Sequence, residues 1–158
     1  MGAYVAVVGA GRASAEEERA AEAVGRGLAE AGVVLVCGGL GGVMEAACRG
    51  AQGGGGMTVG ILPGTSRSDA NPYVDVAVAT GLGELRNGLI VRTADALIAV
   101  GGEFGTLSEI ALALKAGKPV VALGGWELAR AGQPVDAIVR AASPEDAVAR
   151  ALAACAHA

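Results

Sequence analysis

Short apolar runs alternate along the chain with stretches whose apolar residues recur at helical spacing, and glycine marks most of the junctions. Tyr4–Val8 is the first run, apolar throughout and followed by Gly9-Ala-Gly11. Ser14 then opens a helix as N-cap, with Glu17 in the capping-box position and Glu16, Glu17 and Glu18 in the first turn. Ala20, Ala23, Val24, Gly27 and Leu28 supply its apolar stripe, and Gly32 ends it. The same alternation predicts strands at Val33–Val36, Thr58–Leu62, Val74–Val78, Ala96–Val100 and Pro119–Leu123. Helices are predicted over Val43–Ala51, Gly83–Thr93 and Thr106–Ala116. Farther on, the pattern gives a short helix near Glu127–Ala131, a strand near Ala137–Val139 and a helix after Ser143. The polar stretch from Pro63 to Pro72 reads as a mobile flap or binding loop.

Strands that are apolar throughout suit a parallel sheet covered by helices on both faces. Repeated β–α units then predict an α/β fold, a single Rossmann-like doubly wound sheet occupying residues 1–158 as one domain. Composition narrows the class. With 53% hydrophobic residues and a mean hydropathy of +0.50, disorder is excluded. No apolar run approaches the length of a membrane span, and the amino terminus lacks the features of a leader, so a cytoplasmic protein without membrane partners is expected. A net charge of −4 leaves no electrostatic footprint for a polyanion, which argues against nucleic acid as a partner. Cys37, Cys48 and Cys155 lack metal-ligand spacing and read as reduced, partly buried thiols. The sole histidine, His157, lies next to the end, so neither a histidine-ligated metal nor a histidine-based triad is expected.

The candidate chemistry lies at the carboxyl ends of the strands, where open parallel sheets bind ligands. Three glycine turns fall there: Gly9–Gly11, Gly38–Gly42 and Gly101–Gly105. Glycine lets backbone N–H groups approach an anion, and a following helix adds partial positive charge, so phosphate is the expected ligand. The bland reading, glycines serving only tight turns, stands beside it for each turn. Neither the dinucleotide fingerprint nor a P-loop is complete. Arg86 reads either as an exposed helical arginine or as a ligand contact. Glu109, three residues after Thr106, reads either as a helix cap or as a carboxylate brought to the binding edge.

The stretch from Arg86 to Glu109 resembles the signature of the Lonely Guy phosphoribohydrolases and their relatives, once mislabelled lysine decarboxylases. That signature is an arginine followed by Pro-Gly-Gly-x-Gly-Thr-x-x-Glu, and Arg86 and Glu109 hold its 23-residue separation with Gly102, Gly105 and Thr106 in register. Gly38-Gly-Leu-Gly-Gly-Val-Met44-Glu45, with Gly60-Ile-Leu-Pro63 after it, resembles the second glycine turn and next strand, extending the likeness over residues 4–124. Gly101 stands in place of the signature's proline, Glu103 in place of its second glycine, and Asn87 in place of the lysine common in the hydrolases. These departures are more similar to the molybdenum-cofactor carrier protein and a bacterial branch beside it.

The resemblance implies two functions for one pocket. As an enzyme, it would hydrolyse the N-glycosidic bond of a nucleoside 5′-monophosphate, with Glu109 stabilising an oxocarbenium-like state and Arg86 positioning the nucleotide. As a carrier or sensor it would hold a phosphorylated cofactor such as molybdopterin without turnover. In both, Gly102, Gly105 and Thr106, with Gly9, Gly38, Gly39, Gly41, Gly42 and Met44, are expected to hold the phosphate or nucleotide. No cofactor is required for the hydrolysis, while a nucleotide or the molybdenum cofactor is the expected bound molecule. A homodimer or higher homo-oligomer is also implied. Pyridoxal-phosphate chemistry would need a lysine, and Lys115 and Lys118 lie on the edge away from the glycine turns.

Overall fold

The computed structural model describes residues 2–156, so Met1, His157 and Ala158 lie outside the described residues. Six strands alternate with helices through most of the chain: β1 (Tyr4–Gly9), α1 (Ala15–Glu30), β2 (Val34–Cys37), α2 (Val43–Gly53), β3 (Thr58–Leu62), β4 (Val76–Ala79), α3 (Asn87–Thr93), β5 (Ala96–Val100), α4 (Phe104–Lys115) and β6 (Val120–Leu123). A hairpin of β7 (Ala129–Arg130) and β8 (Gln133–Pro134), then β9 (Val139–Arg140) and α5 (Pro144–Cys155), complete the order. The seven-stranded sheet runs β4-β3-β2-β1-β5-β6-β9, and all its neighbours pair in parallel. The chain builds outward from β1 to β4 and then returns to lay β5 against β1, with Val5 opposite Ala96 and Gly9 opposite Val100. That reversal opens the crevice in which such sheets bind ligands.

Alternation of side chains divides the strands between two cores. Val5 and Val7 of β1 join Leu35, Ile98 and Val121 under α1, α2 and α5. Ala6 and Val8 join Val36, Leu97, Val120, Ile90 and Ile110 under α3 and α4. Both faces are thus dry, which is why these strands carry no polar alternation. Each fully buried aliphatic side chain, such as Leu28 or Ile98, contributes about 1.5–3 kcal/mol.

The helix signals act as the sequence predicts at α1. Ser14 Oγ accepts from the Glu17 N–H at 3.1 Å while Glu17 Oε2 accepts from the Ser14 N–H at 2.9 Å. Ser143 Oγ caps α5 by accepting from the Asp146 N–H at 3.1 Å, while the Asp146 carboxylate accepts from the Ala142 N–H at 2.9 Å. Elsewhere the structure corrects the expectation. The stretch Glu127–Ala131 is not helical; Ala131 and Gly132 take positive φ angles of 49° and 79°, forming the two-residue turn of the β7–β8 hairpin. The helix expected over Gly83–Thr93 is split into a 3-10 turn, Gly83–Arg86, and the shorter α3. The Pro63–Pro72 loop is tied down by Asn71, whose N–H donates to Gly39 O and whose Nδ2 donates to Leu40 O, both at 2.9 Å. Among the described residues, no helix is long and apolar enough to cross a membrane.

Helices α1 and α2 cross at backbone contact. A Cβ added to Gly25 would stand 2.0 Å from Ala47 O, and one added to Gly50 would stand 1.9 Å from Glu22 O. Glu22 and Arg49 close the same crossing with an ion pair at 3.0 Å. Gly50→Ala must therefore push the helices apart, and it is expected to lower unfolding free energy by about 1–3 kcal/mol. Urea denaturation measures this; an unchanged midpoint would contradict the close crossing.

Candidate functional site

A cavity of about 450 Å³ opens at the carboxyl edge of the sheet, beside the β1–β5 reversal. The turn after β1 supplies one wall, the turn after β2 and the start of α2 a second, and the 3-10 turn with the first turns of α4 the rest. Of the residues singled out from the sequence, Gly9, Gly38, Met44, Arg86, Gly105, Thr106 and Glu109 line it together. Gly39, Gly41, Gly42 and Gly102 are not among the residues that line it. Three of these four serve packing: a Cβ on Gly39 would meet Leu62 at 2.7 Å, on Gly42 the Ala10 carbonyl at 2.2 Å, and on Gly102 Thr106 at 2.4 Å. None of the Pro63–Pro72 residues lies on the cavity wall.

Arg86 is not an exposed helical arginine; only 8% of it is accessible. It ends the 3-10 turn that precedes α3, which turns its side chain under the strand ends. Its Nε donates to Ile61 O at 2.8 Å, Nη2 reaches Gly38 O at 3.4 Å, and Nη1 donates to Asn87 Oδ1. Burial lowers its pKa and the nearby Glu109 carboxylate opposes that shift. A guanidinium stays protonated in either case, so the site contains a fixed positive charge.

Two residues that sequence reasoning did not choose complete the arrangement. Asn87 Nδ2 donates to Ser108 Oγ at 3.1 Å, and Ser108 Oγ donates to Gly105 O at 2.6 Å. The chain Arg86–Asn87–Ser108–Gly105 thus joins the buried charge to the first turn of α4. Asn87 carried a signal, as a departure from the lysine of the hydrolases. Ser108 carried none, because a serine in a helix is ordinarily a surface residue.

Helix α4 starts at Phe104 with Glu103 as N-cap and no side-chain cap. The first intrahelical bond comes from the Leu107 N–H to Glu103 O at 3.0 Å, which leaves the earlier N–H groups of the turn without intrahelical acceptors. A Cβ on Gly105 would meet nothing within 4 Å, so a ligand can approach this backbone closely. Gly101, at the signature's proline position, has a φ of +55°, which proline cannot adopt. The turn therefore follows a backbone path that a proline-bearing signature could not. Glu103 is exposed on the cavity rim, where solvent weakens its repulsion of an anion.

Glu109 lies in the second turn of α4, so it is not a cap. It is 7% exposed and lines the cavity. Burial pushes its pKa up to about 7, with Arg86 acting in the opposite direction. Below its ordinary value of 4.5 the carboxyl is protonated whether the chain is folded or not; between 4.5 and about 7 only the folded chain holds the proton. Stability from this group therefore falls as pH rises through that window, by about 3 kcal/mol in all, and levels off above it. Glu109→Gln cannot ionise and is expected to flatten the decline, as read by denaturation on either side of the window. An unchanged slope would contradict the assignment.

A family model described as the SLOG cluster4 family matches residues 2–148. An uncharacterized protein of Archaeoglobus fulgidus is 50% identical over 119 residues, covering 75% of this chain and 78% of that one. Among solved structures, the molybdenum cofactor binding protein of Rippkaea orientalis is similar with a TM-score of 0.87 and 34% identity over 97% of both chains. The molybdenum cofactor carrier protein of Chlamydomonas reinhardtii is similar with a TM-score of 0.86 and 32% identity over 99% of both. The resemblance to the superfamily and to its carrier branch is borne out. The chain belongs to the SLOG cluster4 family.

Proposed function

We propose that this chain binds and carries a phosphorylated cofactor of the molybdopterin class without turning it over. The observation that carries this reading is the uncapped first turn of α4, open at Gly105 and facing a cavity into which Arg86 brings a fixed positive charge. Full-length likeness to proteins described as molybdenum cofactor binding and carrier proteins supports it. The cavity volume, about 450 Å³, is within the range for small-molecule sites. The cofactor is cargo here. Its phosphate would accept from the N–H groups of Gly105 and Thr106, where the helix dipole and Arg86 favour negative charge.

The carboxylates of Glu84, Glu103 and Glu109 around the cavity oppose a polyanion. Glu109 is the one whose protonation near neutrality removes that opposition, so retention is expected to weaken as pH rises above about 7. The same property favours a second reading, because a carboxyl that titrates near neutrality is suited to proton transfer during N-glycosidic hydrolysis. Exposed Leu85, Leu89 and Leu112 support self-association through the α3–α4 face, which sedimentation of the purified chain checks.

Native mass spectrometry of gently purified protein is expected to show a retained phosphorylated pterin, lost in Gly105→Asp. That variant places a carboxylate in an exposed first turn, where acidic residues are compatible with the helix, so the loss is not attributable to unfolding. Absence of any retained phosphorylated molecule, together with release of base from AMP, would favour the hydrolase instead.

A further inference from the structure

The chain has four aromatic residues, and three of them, Tyr4, Tyr73 and Trp126, are half-buried. Phe104 is the exception. It is 76% exposed, and it lines the cavity from the first position of α4. Its ring therefore stands largely in water at the rim of the cavity.

The ring is also braced from behind. Trp126 lies against it with centroids 5.4 Å apart and planes inclined at 44°. The Trp126 indole is fixed in turn: its Nε1 donates to Glu103 O at 3.1 Å, and Arg140 donates to Gly124 O at 3.0 Å and to Trp126 O. Strand β9 thus anchors the loop after β6, and that loop holds the aromatic pair against the start of α4.

We propose that Phe104, supported by Trp126, is a stacking platform for the planar heterocycle of the bound ligand, and so determines its class. The inference rests on the proposed anion site, since Phe104 immediately precedes Gly105 and Thr106 in the same turn. A phosphate held at those N–H groups puts the rest of the ligand within reach of the ring. The ligand class is then a phosphorylated pteridine or purine rather than a simple sugar phosphate. Stacking on an aromatic side chain tolerates many heterocycles, because each presents a π-face.

Guanosine 5′-monophosphate and ribose 5-phosphate are suitable probes, since guanine shares its amino-oxo pyrimidine ring with pterins and ribose 5-phosphate has no ring to stack. Titration calorimetry on the intact chain is expected to give binding about tenfold or more tighter for the nucleotide. Only the nucleotide should quench the fluorescence of Trp126, the single tryptophan. Phe104→Ala should bring the nucleotide down to the affinity of ribose 5-phosphate and leave the latter unchanged, whereas Phe104→Tyr should preserve the preference. Equal affinities in the wild-type chain would overturn the platform while leaving the anion site standing, as would equal weakening of both ligands by Phe104→Ala. A Phe104→Ala variant that changes only the sedimentation of the chain would assign the ring to contact between copies and overturn the platform as well. Failure of both probes to bind would overturn the anion site and the platform together.

Discussion

Arg86 places a permanent charge beneath the ends of β2 and β3, and a guanidinium so placed must find acceptors or bear its full desolvation. Its donors reach Ile61 O, Gly38 O and Asn87 Oδ1, each on a different segment. The turn after β2 is brought close: a Cβ on Gly38 would stand 2.6 Å from Nη2 and 2.8 Å from Met44 Sδ. Through Asn87 and Ser108, the same charge is linked to the turn of α4 that opens on the cavity. The far end of α3 is fixed as well. Lys118 Nζ donates to Val91 O at 2.8 Å, to Arg92 O at 3.0 Å and to Ala94 O, satisfying carbonyls that the helix leaves free. Lys118, one of the two lysines considered for Schiff-base chemistry, is thus engaged in holding α3.

Charge balance within the cavity follows from this arrangement. The chain as a whole has a net charge of −4, and Arg86 is the one cation among the cavity-lining residues, beside Glu84, Glu103 and Glu109. Glu109 lines the same cavity from a buried position, where desolvation of the carboxylate outweighs attraction to Arg86. An anionic ligand would raise the cost of ionising Glu109 further, so ligand and proton are expected to bind cooperatively.

The sheet and its helices were legible because their signals are local and repeated. Apolar strands, the Ser14–Glu17 capping box and the Ser143 cap each specify an element within a few residues. The β7–β8 hairpin was not legible as such, because its turn depends on Ala131 adopting a positive φ that alanine does not advertise. The site divides in the same way. Spacing and resemblance placed Arg86, Gly105, Thr106 and Glu109 on one wall. The hydrogen bonds of Arg86 to the turn after β2 and to β3 join residues 48 and 25 positions apart, and such pairings leave no periodic trace. Gly39, Gly42 and Gly102 fit the phosphate pattern equally well in the sequence, and their tight surroundings and positive φ angles of 76°, 62° and 116° also give each a packing reason to be glycine. Phe104 was visible within the signature turn, whereas its exposure and its brace, Trp126, depend on a loop more than twenty residues away.

Titration of ¹⁵N-labelled protein with inorganic phosphate, followed by backbone amide shifts, asks whether the α4 turn and Arg86 together hold a phosphate group. Saturable shifts of the Gly105 and Thr106 amides are expected, with the Arg86 Nε–H remaining slow to exchange because Ile61 O holds it throughout. Unmoved Gly105 and Thr106 amides at phosphate concentrations that shift other residues would contradict that binding.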